Sequence, residues 1–267
     1  MGKWCDNICM VLSSCDAYED AWTPFCRQLT KNWPEFSMPI YLGTESKRFT
    51  YPGLNIQCPL ADGKIYKQWS ERLVKLLKKI ESEYILFMLD DFWLTEPVNT
   101  HAFNEVFEYM KSNSKIGFIC LKNENQTAPG QENFVKECDC KLLYESLYGR
   151  IFRITTQAGI WRKKYLLKLL RSHESAWYFE SRANWRSRFY TERIFDVKET
   201  ILKYPVGGFL WGGKCYRDYV QLYEADVIRE CIEKRGLINF GGRREYPKFE
   251  KGFSYYWSIF KSVMPKL

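Results

Sequence analysis

Histidine is scarce in this sequence, and long apolar runs are missing from it. Only His101 and His173 occur among 267 residues, which disfavours histidine-based metal sites and most catalytic triads that depend on histidine. No stretch reaches the roughly 18 consecutive apolar residues that a transmembrane helix needs. The pattern GxxxxGK followed by Ser or Thr is also absent, which excludes a nucleotide site of the P-loop type.

Ten cysteines are present, yet they lack the spacing of a zinc site. Cys138 and Cys140 are separated by one residue instead of two, and no second pair or suitably placed histidine completes a site. Residues 1–7 are polar, and the apolar run 8–12 is too short for the core of a signal peptide. We therefore expect reduced thiols and a cytoplasmic protein.

Acidic residues are the minority, and the imbalance lies in the second half of the chain. Residues 1–147 hold 16 basic and 20 acidic residues, a net charge of −4, whereas residues 148–267 hold 24 and 12, a net charge of +12. A basic half indicates an anionic partner, which could be nucleic acid, a phosphorylated small molecule or an acidic membrane surface. Apolar residues make up 46% of the chain, enough for a substantial core, which excludes a wholly disordered chain.

The first half alternates between two kinds of pattern. Helical spacing of apolar residues occurs at 21–32, 68–80 and 99–112. Short β-branched or apolar runs lie before, between and after these helices, at 8–12, 39–42, 54–58, 84–89 and 116–121. Strands alternating with helices predict an α/β fold with a mainly parallel sheet flanked by helices.

The rhythm changes after residue 122. We expect a loop at 123–133, a β-like run at 150–157, a helix at 163–171 and a final helix at 219–234. Arginines alternate with aromatic residues at 182–193, and residues 253–267 form an aromatic tail with a basic end. That tail could dock on the core or lie on an anionic membrane.

Two adjacent carboxylates, Asp90 and Asp91, follow the apolar run 84–89. Ligands of open α/β sheets bind beyond the carboxyl ends of the strands. Neighbouring strand residues point in opposite directions, so we expect one carboxylate to reach a ligand directly and the other through water or the backbone. Such a pair suits Mg²⁺ or Mn²⁺, although acids after a strand also cap helices.

This acidic pair, with the opening segment 11–19 (VLSSCDAYE), resembles nucleotide-sugar glycosyltransferases of the GT-A fold. The likeness is to bacterial enzymes that assemble surface polysaccharides, such as capsule or O-antigen. It implies a short acidic motif, D-x-D or a variant, whose metal holds the diphosphate of the donor. Asp91 and Asp90 match that motif, with Phe92 at its third position. The implied cofactor is Mn²⁺ or Mg²⁺, and Asp91 is the preferred direct ligand.

The resemblance also divides the chain. Residues 1–122 correspond to the nucleotide-sugar-binding half of one GT-A domain, residues 123–235 to its acceptor-binding half, and residues 236–267 to a C-terminal helical extension, basic and aromatic in composition. The loop after the first strand is implied to hold the nucleotide, through Ser13, Ser14, Asp16 and Tyr18. The same residues would serve equally as a polar turn that caps the next helix.

Further donor contacts are implied at Ser70, Arg72, Gly159 and Lys214. Ser70 and Arg72 lie on the helix before the acidic strand, where Arg72 could instead be a solvated surface residue. Gly159 permits close backbone approach. Lys214 follows Gly212 and Gly213, whose freed amides and adjacent charge suit a diphosphate, although a glycine pair also makes an ordinary turn.

Glu174 and Glu180 flank an aromatic run and are candidate catalytic bases. Inverting transfer needs a carboxylate that takes the proton of the acceptor hydroxyl, and aromatic walls raise the pKa of such a group by desolvation. We favour Glu180 because it follows the aromatic run. Both residues could instead form salt bridges with Arg171 or Arg182 on a surface helix.

The sequence therefore predicts a metal-assisted, inverting glycosyltransferase that moves a sugar from a nucleotide-sugar donor to a glycan or lipid-linked acceptor. It would work in the cytoplasm, with peripheral contact to the inner face of the plasma membrane. A nucleotidyltransferase is the first alternative, but residues 13–19 contain neither the glycine nor the lysine of its usual signature. A nucleic-acid-binding protein would explain residues 182–193 but not the acidic strand end, so we expect no nucleic acid partner.

Overall fold

The structure is a computed structural model that describes residues 7–64, 66, 68–123 and 130–239. Its strands are β1 Ile8–Ser13, β2 Ile40–Leu42, β3 Ile56–Gln57, β4 Tyr84–Leu89, β5 Ile116–Cys120, β6 Val135–Glu137, β7 Leu143–Ser146, β8 Gly159–Arg162, β9 Arg193–Val197, β10 Leu210–Trp211, β11 Lys214–Tyr216 and β12 Leu237–Ile238. Its α-helices are α1 Glu19–Asn32, α2 Trp69–Leu77, α3 Thr100–Ser112, α4 Lys163–Leu169, α5 Ala176–Arg186 and α6 Ala225–Arg235.

Nine of the described strands form one sheet in the order β3-β2-β1-β4-β8-β5-β9-β7-β6. The pairings make all of them run in one direction except β7 and β8, so the sheet is mainly parallel. A small second sheet has the order β10-β11-β12. The predicted α/β class with a mainly parallel sheet is confirmed.

Helices cover both faces of the large sheet, and β4 shows why. Leu86 and Met88 pack into a cluster with α1 and α3, whereas Ile85 and Phe87 pack into a second cluster with α2, α4 and α5. Because side chains alternate across a strand, a strand buried on both faces must be apolar throughout. The continuous apolar run predicted to be such a strand is confirmed at Tyr84–Leu89.

The predicted strand at 150–157 is wrong, because residues 148–158 form turns and bends instead. Phe152 has a φ of 53°, which is incompatible with an extended strand. Arg150 and Arg153 are buried and point toward the neighbouring sheet and helix, where Arg150 pairs with Asp196 at 3.1 Å. The strand next to β4 begins only at Gly159.

Helix boundaries differ modestly from the predicted ones. α3 begins where Asn99 accepts a hydrogen bond from the amide of Ala102 at 3.0 Å. The final predicted helix, at 219–234, is split into a 3-10 helix Arg217–Leu222 and α6. The aromatic tail 253–267 and nearly all of the extension 236–267 lie outside the described residues. Within the described ranges no helix is long and apolar enough to cross a bilayer, and no two cysteines form a disulfide.

Candidate active site

A cleft of about 280 Å³ opens where the carboxyl ends of β1 and β4 lie side by side. The two strands pair in parallel, with Ser13 opposite Leu89, so the segments that follow them emerge together. The lining residues come from these two strand ends, α2, the turn before β8, the first half of α5 and the loop around β10. They are Ser13, Ser14, Cys15, Tyr18, Trp69, Arg72, Leu89, Asp90, Asp91, Phe92, Thr156, Gln157, Ala176, Trp177, Glu180, Gly207, Leu210, Trp211 and Gly212.

Asp90 and Asp91 lie at the floor of this cleft, and each is only 7% exposed. The chain turns directly after Leu89, and both residues line the cleft. That one carboxylate reaches a ligand directly and the other through water or the backbone stays a prediction.

Hydrogen bonds hold both acids in place. The Ser14 hydroxyl donates to Asp90 Oδ2. The backbone amide of Leu210 donates to Asp91 Oδ2 at 3.2 Å, and that of Phe209 donates to the Asp91 carbonyl at 2.9 Å. The loop before β10 is thereby tied to the end of β4.

In the part of the chain that the structure describes, the Asp90 and Asp91 carboxylates have no positively charged side chain in direct contact with them. Among the described residues no Lys or Arg forms an ion pair with either carboxylate. Burial raises the pKa of Asp90 to about 7, partly offset by the Ser14 hydrogen bond and the more distant charge of Arg235. Burial, reinforced by the charge of Asp90, raises the pKa of Asp91 well above its usual range. Two buried carboxylates with raised pKa values have the electrostatics of a site that takes up a cation.

The donor set fits a hard divalent cation. Mg²⁺ and Mn²⁺ take oxygen ligands, and Mg²⁺ commonly uses one or two carboxylates together with waters and substrate phosphates. Within the described ranges no group of three or more His, Cys, Asp or Glu could hold a metal. Asp90 and Asp91 therefore fit a cation that is shared with a bound phosphate group, not one enclosed by protein ligands.

Gly208 was not predicted to take part in this site, yet it shapes it. Its φ is +90°, and a Cβ atom there would overlap the Asp91 carboxylate. Only glycine permits both the backbone conformation and the close approach. The sequence signal was the glycine pair Gly207–Gly208, which composition alone could not connect with Asp91.

The loop after β1 contributes three of its four predicted residues to the cleft. Ser13 Oγ accepts a hydrogen bond from Trp69 Nε1 at 2.9 Å, and Ser14 Oγ accepts one from Trp22 Nε1 at 2.6 Å. The half-buried Tyr18 ring lies beneath the Arg235 guanidinium, 4.3 Å from the ring centroid. Ser13, Ser14 and Tyr18 thus line the cleft with fixed orientations.

Asp16 does not line the cleft, contrary to its predicted donor contact. Its carboxylate accepts hydrogen bonds from the amides of Glu45 and Ser46, both at 2.9 Å. Burial opposes its ionisation, but these bonds and the Ser46 hydroxyl lower the pKa of Asp16 below its usual value. The side chain holds the 45–47 turn, whose Glu45 in turn forms an ion pair with Arg72, a cleft residue.

Ser70 and Glu174 are also placed away from the cleft. Both are fully buried, and Ser70 Oγ accepts a hydrogen bond from the amide of Glu174 at 2.8 Å. Arg186 donates to both carboxylate oxygens of Glu174, at 2.8 and 2.7 Å. A carboxylate held by a buried, two-pronged ion pair has no free oxygen for an acceptor, so the structure does not support Glu174 as a base.

Gly159 and Lys214, two further predicted donor contacts, also lie outside the cleft lining. A Cβ on Gly159 would overlap the ring of Phe118, so this glycine serves the contact between β8 and β5 and lies outside the cleft lining. Lys214 is exposed on β11 and does not line the cleft. Of the two glycines that precede Lys214, Gly212 lines the cleft and Gly213 does not.

Glu180 lies in the cleft and is 8% exposed. Its Oε1 accepts three hydrogen bonds, from Thr155 Oγ1 at 2.9 Å, the Thr156 amide at 2.6 Å and Thr156 Oγ1 at 2.8 Å. Among the described residues none donates to Oε2. The arrangement fixes one oxygen and leaves the other able to accept a proton from a ligand.

Several lining residues were missed by sequence reasoning. Trp69, Thr156 and Gln157 gave no local signal, because they reach the cleft from a helix start and from a turn that was read as a strand. Trp177 is 58% exposed and packs edge-on against Trp211, with 5.1 Å between ring centroids. Only the general abundance of aromatic residues pointed to this pair.

No protein-family model and no curated protein matches the sequence. Among solved structures, the chain is similar to residues 1–349 of S. aureus TarS, at 12% identity and a TM-score of 0.46; the match covers 74% of this chain and 59% of that one. It is similar to a CMP:2-keto-3-deoxy-manno-octonic acid synthetase complexed with CTP, at 11% identity and a TM-score of 0.39, over 72% and 89% of the two chains. It is also similar to an active-site mutant of LgtC, at 10% identity and a TM-score of 0.35, over 97% of each chain. At these values the likenesses assign no function.

Proposed function

We propose that this chain is a nucleotide-sugar glycosyltransferase of the GT-A type. The observation that carries the proposal is the buried pair Asp90 and Asp91, which lies at the carboxyl ends of adjacent parallel strands with no ion-pair partner in the described residues. Such a pair suits a divalent cation, which can take phosphate oxygens as further ligands in an open cleft. The acidic pair and the segment 11–19 carry the resemblance to this enzyme class.

In the proposed reaction the donor diphosphate lies against the acidic pair. Asp91 and Asp90 would hold Mn²⁺ or Mg²⁺, which when bound neutralises the charge of the leaving diphosphate. Arg72, held by its ion pair with Glu45, lines the same cleft and can donate hydrogen bonds to the phosphates. Tyr18 offers a ring held in place by Arg235, suited to the base or ribose of the nucleotide.

Glu180 is the proposed general base. Its Oε2 accepts the proton of the acceptor hydroxyl while that oxygen bonds to the anomeric carbon and the bond to the diphosphate oxygen breaks. Thr155 and Thr156 hold the carboxylate by its other oxygen, which keeps it oriented during the transfer. A single displacement of this kind inverts the anomeric configuration. The acceptor is proposed to be a glycan or a lipid-linked sugar of surface polysaccharide synthesis in the cytoplasm.

The proposal is tested by donor hydrolysis and transfer with UDP-, GDP- and CMP-sugars, each with and without Mn²⁺. We expect one donor class to be cleaved only with metal, with loss of that cleavage in Asp91→Asn. Asp139→Asn is the matched control, because Asp139 is exposed and lies outside the cleft lining. Cleavage that needs no metal would contradict the metal assignment, and release of pyrophosphate from a nucleoside triphosphate plus a sugar would favour a nucleotidyltransferase instead.

A further inference from the structure

The lining of the cleft contains more acidic than basic side chains. Among the described residues that line it, Arg72 is the only Lys or Arg, whereas Asp90, Asp91 and Glu180 are carboxylic acids. A phosphate ligand is negatively charged, so this lining repels it unless a cation is bound as well. The charge that Arg72 presents therefore decides how the cleft treats a phosphate in the absence of a cation.

The Arg72 guanidinium is already paired with a carboxylate. Its Nη1 donates to Glu45 Oε1, and the two side chains are only 12% and 14% exposed. Glu45 itself lies outside the cleft lining. Because the pair is largely shielded from water, the charge of Glu45 cancels most of the charge that Arg72 would otherwise present to a ligand.

Glu45 is held in this position by the loop after β1. Its Oε2 accepts a hydrogen bond from the Asp16 amide at 2.7 Å, while the Asp16 carboxylate accepts bonds from the amides of Glu45 and Ser46, both at 2.9 Å. The two acidic residues thus bind each other's backbone reciprocally. The place of the Glu45 carboxylate is set by the fold and does not depend on a ligand.

Pairing with Glu45 removes the charge of Arg72 but not its remaining hydrogen-bond donors. A guanidinium has several N–H groups in a fixed planar arrangement. Among the described residues, Glu45 is the only acceptor that the Arg72 side chain binds, and it takes Nη1. The other donors remain for a phosphate oxygen once the charge of that phosphate is neutralised by a cation.

A second arginine beside the cleft, Arg235, is neutralised in a similar way. It lies over the ring of the cleft residue Tyr18. Its Nε and Nη2 donate to the two carboxylate oxygens of Asp20, at 2.5 and 2.7 Å. Neither arginine therefore offers the cleft an uncompensated positive charge.

We propose that Glu45 is a specificity-determining residue that makes phosphate binding in the cleft depend on a divalent cation. Metal-free phosphates, including free nucleotides, meet only uncompensated carboxylates and are rejected. A diphosphate that carries Mg²⁺ or Mn²⁺ is accepted, since the acidic pair suits the cation and Arg72 donates hydrogen bonds to the phosphate oxygens. This inference rests on the proposed function in taking a diphosphate as the ligand, but it does not require that a sugar is transferred.

The test is calorimetric titration of the full chain with inorganic pyrophosphate, once with a chelator and once with Mg²⁺. We expect the parent to bind pyrophosphate only with Mg²⁺. Glu45→Gln should raise the metal-free affinity by about tenfold or more, because Arg72 then presents an uncompensated charge to the phosphate. The gain should weaken with salt. Glutamine can still accept the hydrogen bond from the Asp16 amide, so the turn is retained.

Glu145→Gln is the matched control. Glu145 forms a partly buried ion pair with Arg193, at 2.8 and 2.6 Å, and both residues lie outside the cleft lining. This variant should bind pyrophosphate as the parent does. The double variant Glu45→Gln and Arg72→Gln, which leaves no charge of this pair unpaired, should return the metal-free affinity to the parent's value and weaken binding of the Mg²⁺ complex.

Three outcomes overturn the proposal: equally tight binding by the parent with and without Mg²⁺, no gain in the folded Glu45→Gln variant, or a gain that the control or the double variant shares. If Glu45→Gln does not fold, the double variant decides, because metal-free binding weaker than the parent's would show that the charge of Arg72 was not cancelled. Failure of the proposed function is separate. A gain in Glu45→Gln without sugar transfer from any donor would refute the transferase and leave the role of Glu45 standing.

Discussion

Replacing Asp90 by asparagine should stabilise the metal-free protein while removing its metal-dependent binding of nucleotide. Burial raises the pKa of Asp90 from 3.8 to about 7. The folded state therefore binds a proton more tightly than the unfolded state does, and the stability this proton confers is lost as the pH rises from about 4 to about 7. Asparagine carries no charge and can still accept the hydrogen bond from Ser14.

The size of the effect follows from the pKa. A rise of about three units corresponds to about 4 kcal/mol at 1.36 kcal/mol per unit, which is an upper limit because structural relaxation and water entry reduce it. We expect a gain of about 1–3 kcal/mol above pH 7, or several degrees in melting temperature for a domain of this size. Near pH 4 the variant and the parent should melt together.

The assay is thermal unfolding of both proteins between pH 4 and 8 in the presence of a chelator, with calorimetric titration of UDP and GDP with and without Mn²⁺. Asp20→Asn is the control of opposite sign. Burial opposes ionisation of Asp20, but hydrogen bonds from Arg235 and Lys234 lower its pKa to about 2. Its stabilisation is present above pH 4 and lost as the pH falls toward 2, so the substitution should destabilise at neutral pH.

A result in which Asp90→Asn is destabilised equally at pH 4 and pH 8 would refute this reasoning, because the carboxylate would then contribute no charge cost. Unchanged Mn²⁺-dependent nucleotide affinity in the same variant would refute the metal assignment separately. The two readouts are independent, since one concerns the empty protein and the other its ligand.

Three further outcomes are expected. Glu180→Gln should lower turnover by roughly 10²–10⁴-fold with donor affinity retained, measured by transfer kinetics and calorimetry; near-normal turnover would exclude this base. Gly208→Ala should weaken metal-dependent nucleotide binding more than Gly213→Ala, which has a similar φ but open space around it; equal effects would contradict the steric role. Glu174→Gln should lower the free energy of unfolding by about 3–5 kcal/mol, measured with denaturant, because the buried Arg186 loses its counter-charge. If the folded fraction of this variant loses turnover instead, Glu174 becomes a candidate base again.

The local pattern of residues was enough to predict the first half of the fold. The run 84–89 is apolar at every position, and such a run is stable only when both faces of the strand are covered. The helices α1, α2 and α3 begin within two residues of their predicted starts, because their apolar spacing and boundary residues act over a few positions. Asp90, Asp91 and Glu180 were singled out for the same reason, since each stands beside a conspicuous apolar or aromatic run.

The tertiary structure decided which polar residues face the cleft. Glu174 and Glu180 flank the same aromatic run, yet one meets Arg186 inside the protein and the other meets Thr155 and the cleft. The partner of Glu174 lies at the end of α5, and the partner of Glu180 lies in a turn 25 residues earlier in the chain. A local sequence pattern does not specify which of these distant residues comes into contact with each glutamate. The strand predicted at 150–157 was wrong for the same reason. The buried contacts of Arg150 with Asp196 and of Arg153 with Ser187 outweigh the β propensity of the segment.

The close contact between Gly208 and Asp91 is the feature of the site that the sequence was least able to predict. The two residues are separated by more than a hundred positions, and their contact arises only because the loop before β10 folds back over the end of β4. Strand and helix formation are governed by neighbours along the chain, so the sequence by itself determined the α/β class and the acidic strand end. The geometry of the cleft is governed by packing between distant segments, and only the folded chain settles which carboxylates remain without a cationic partner.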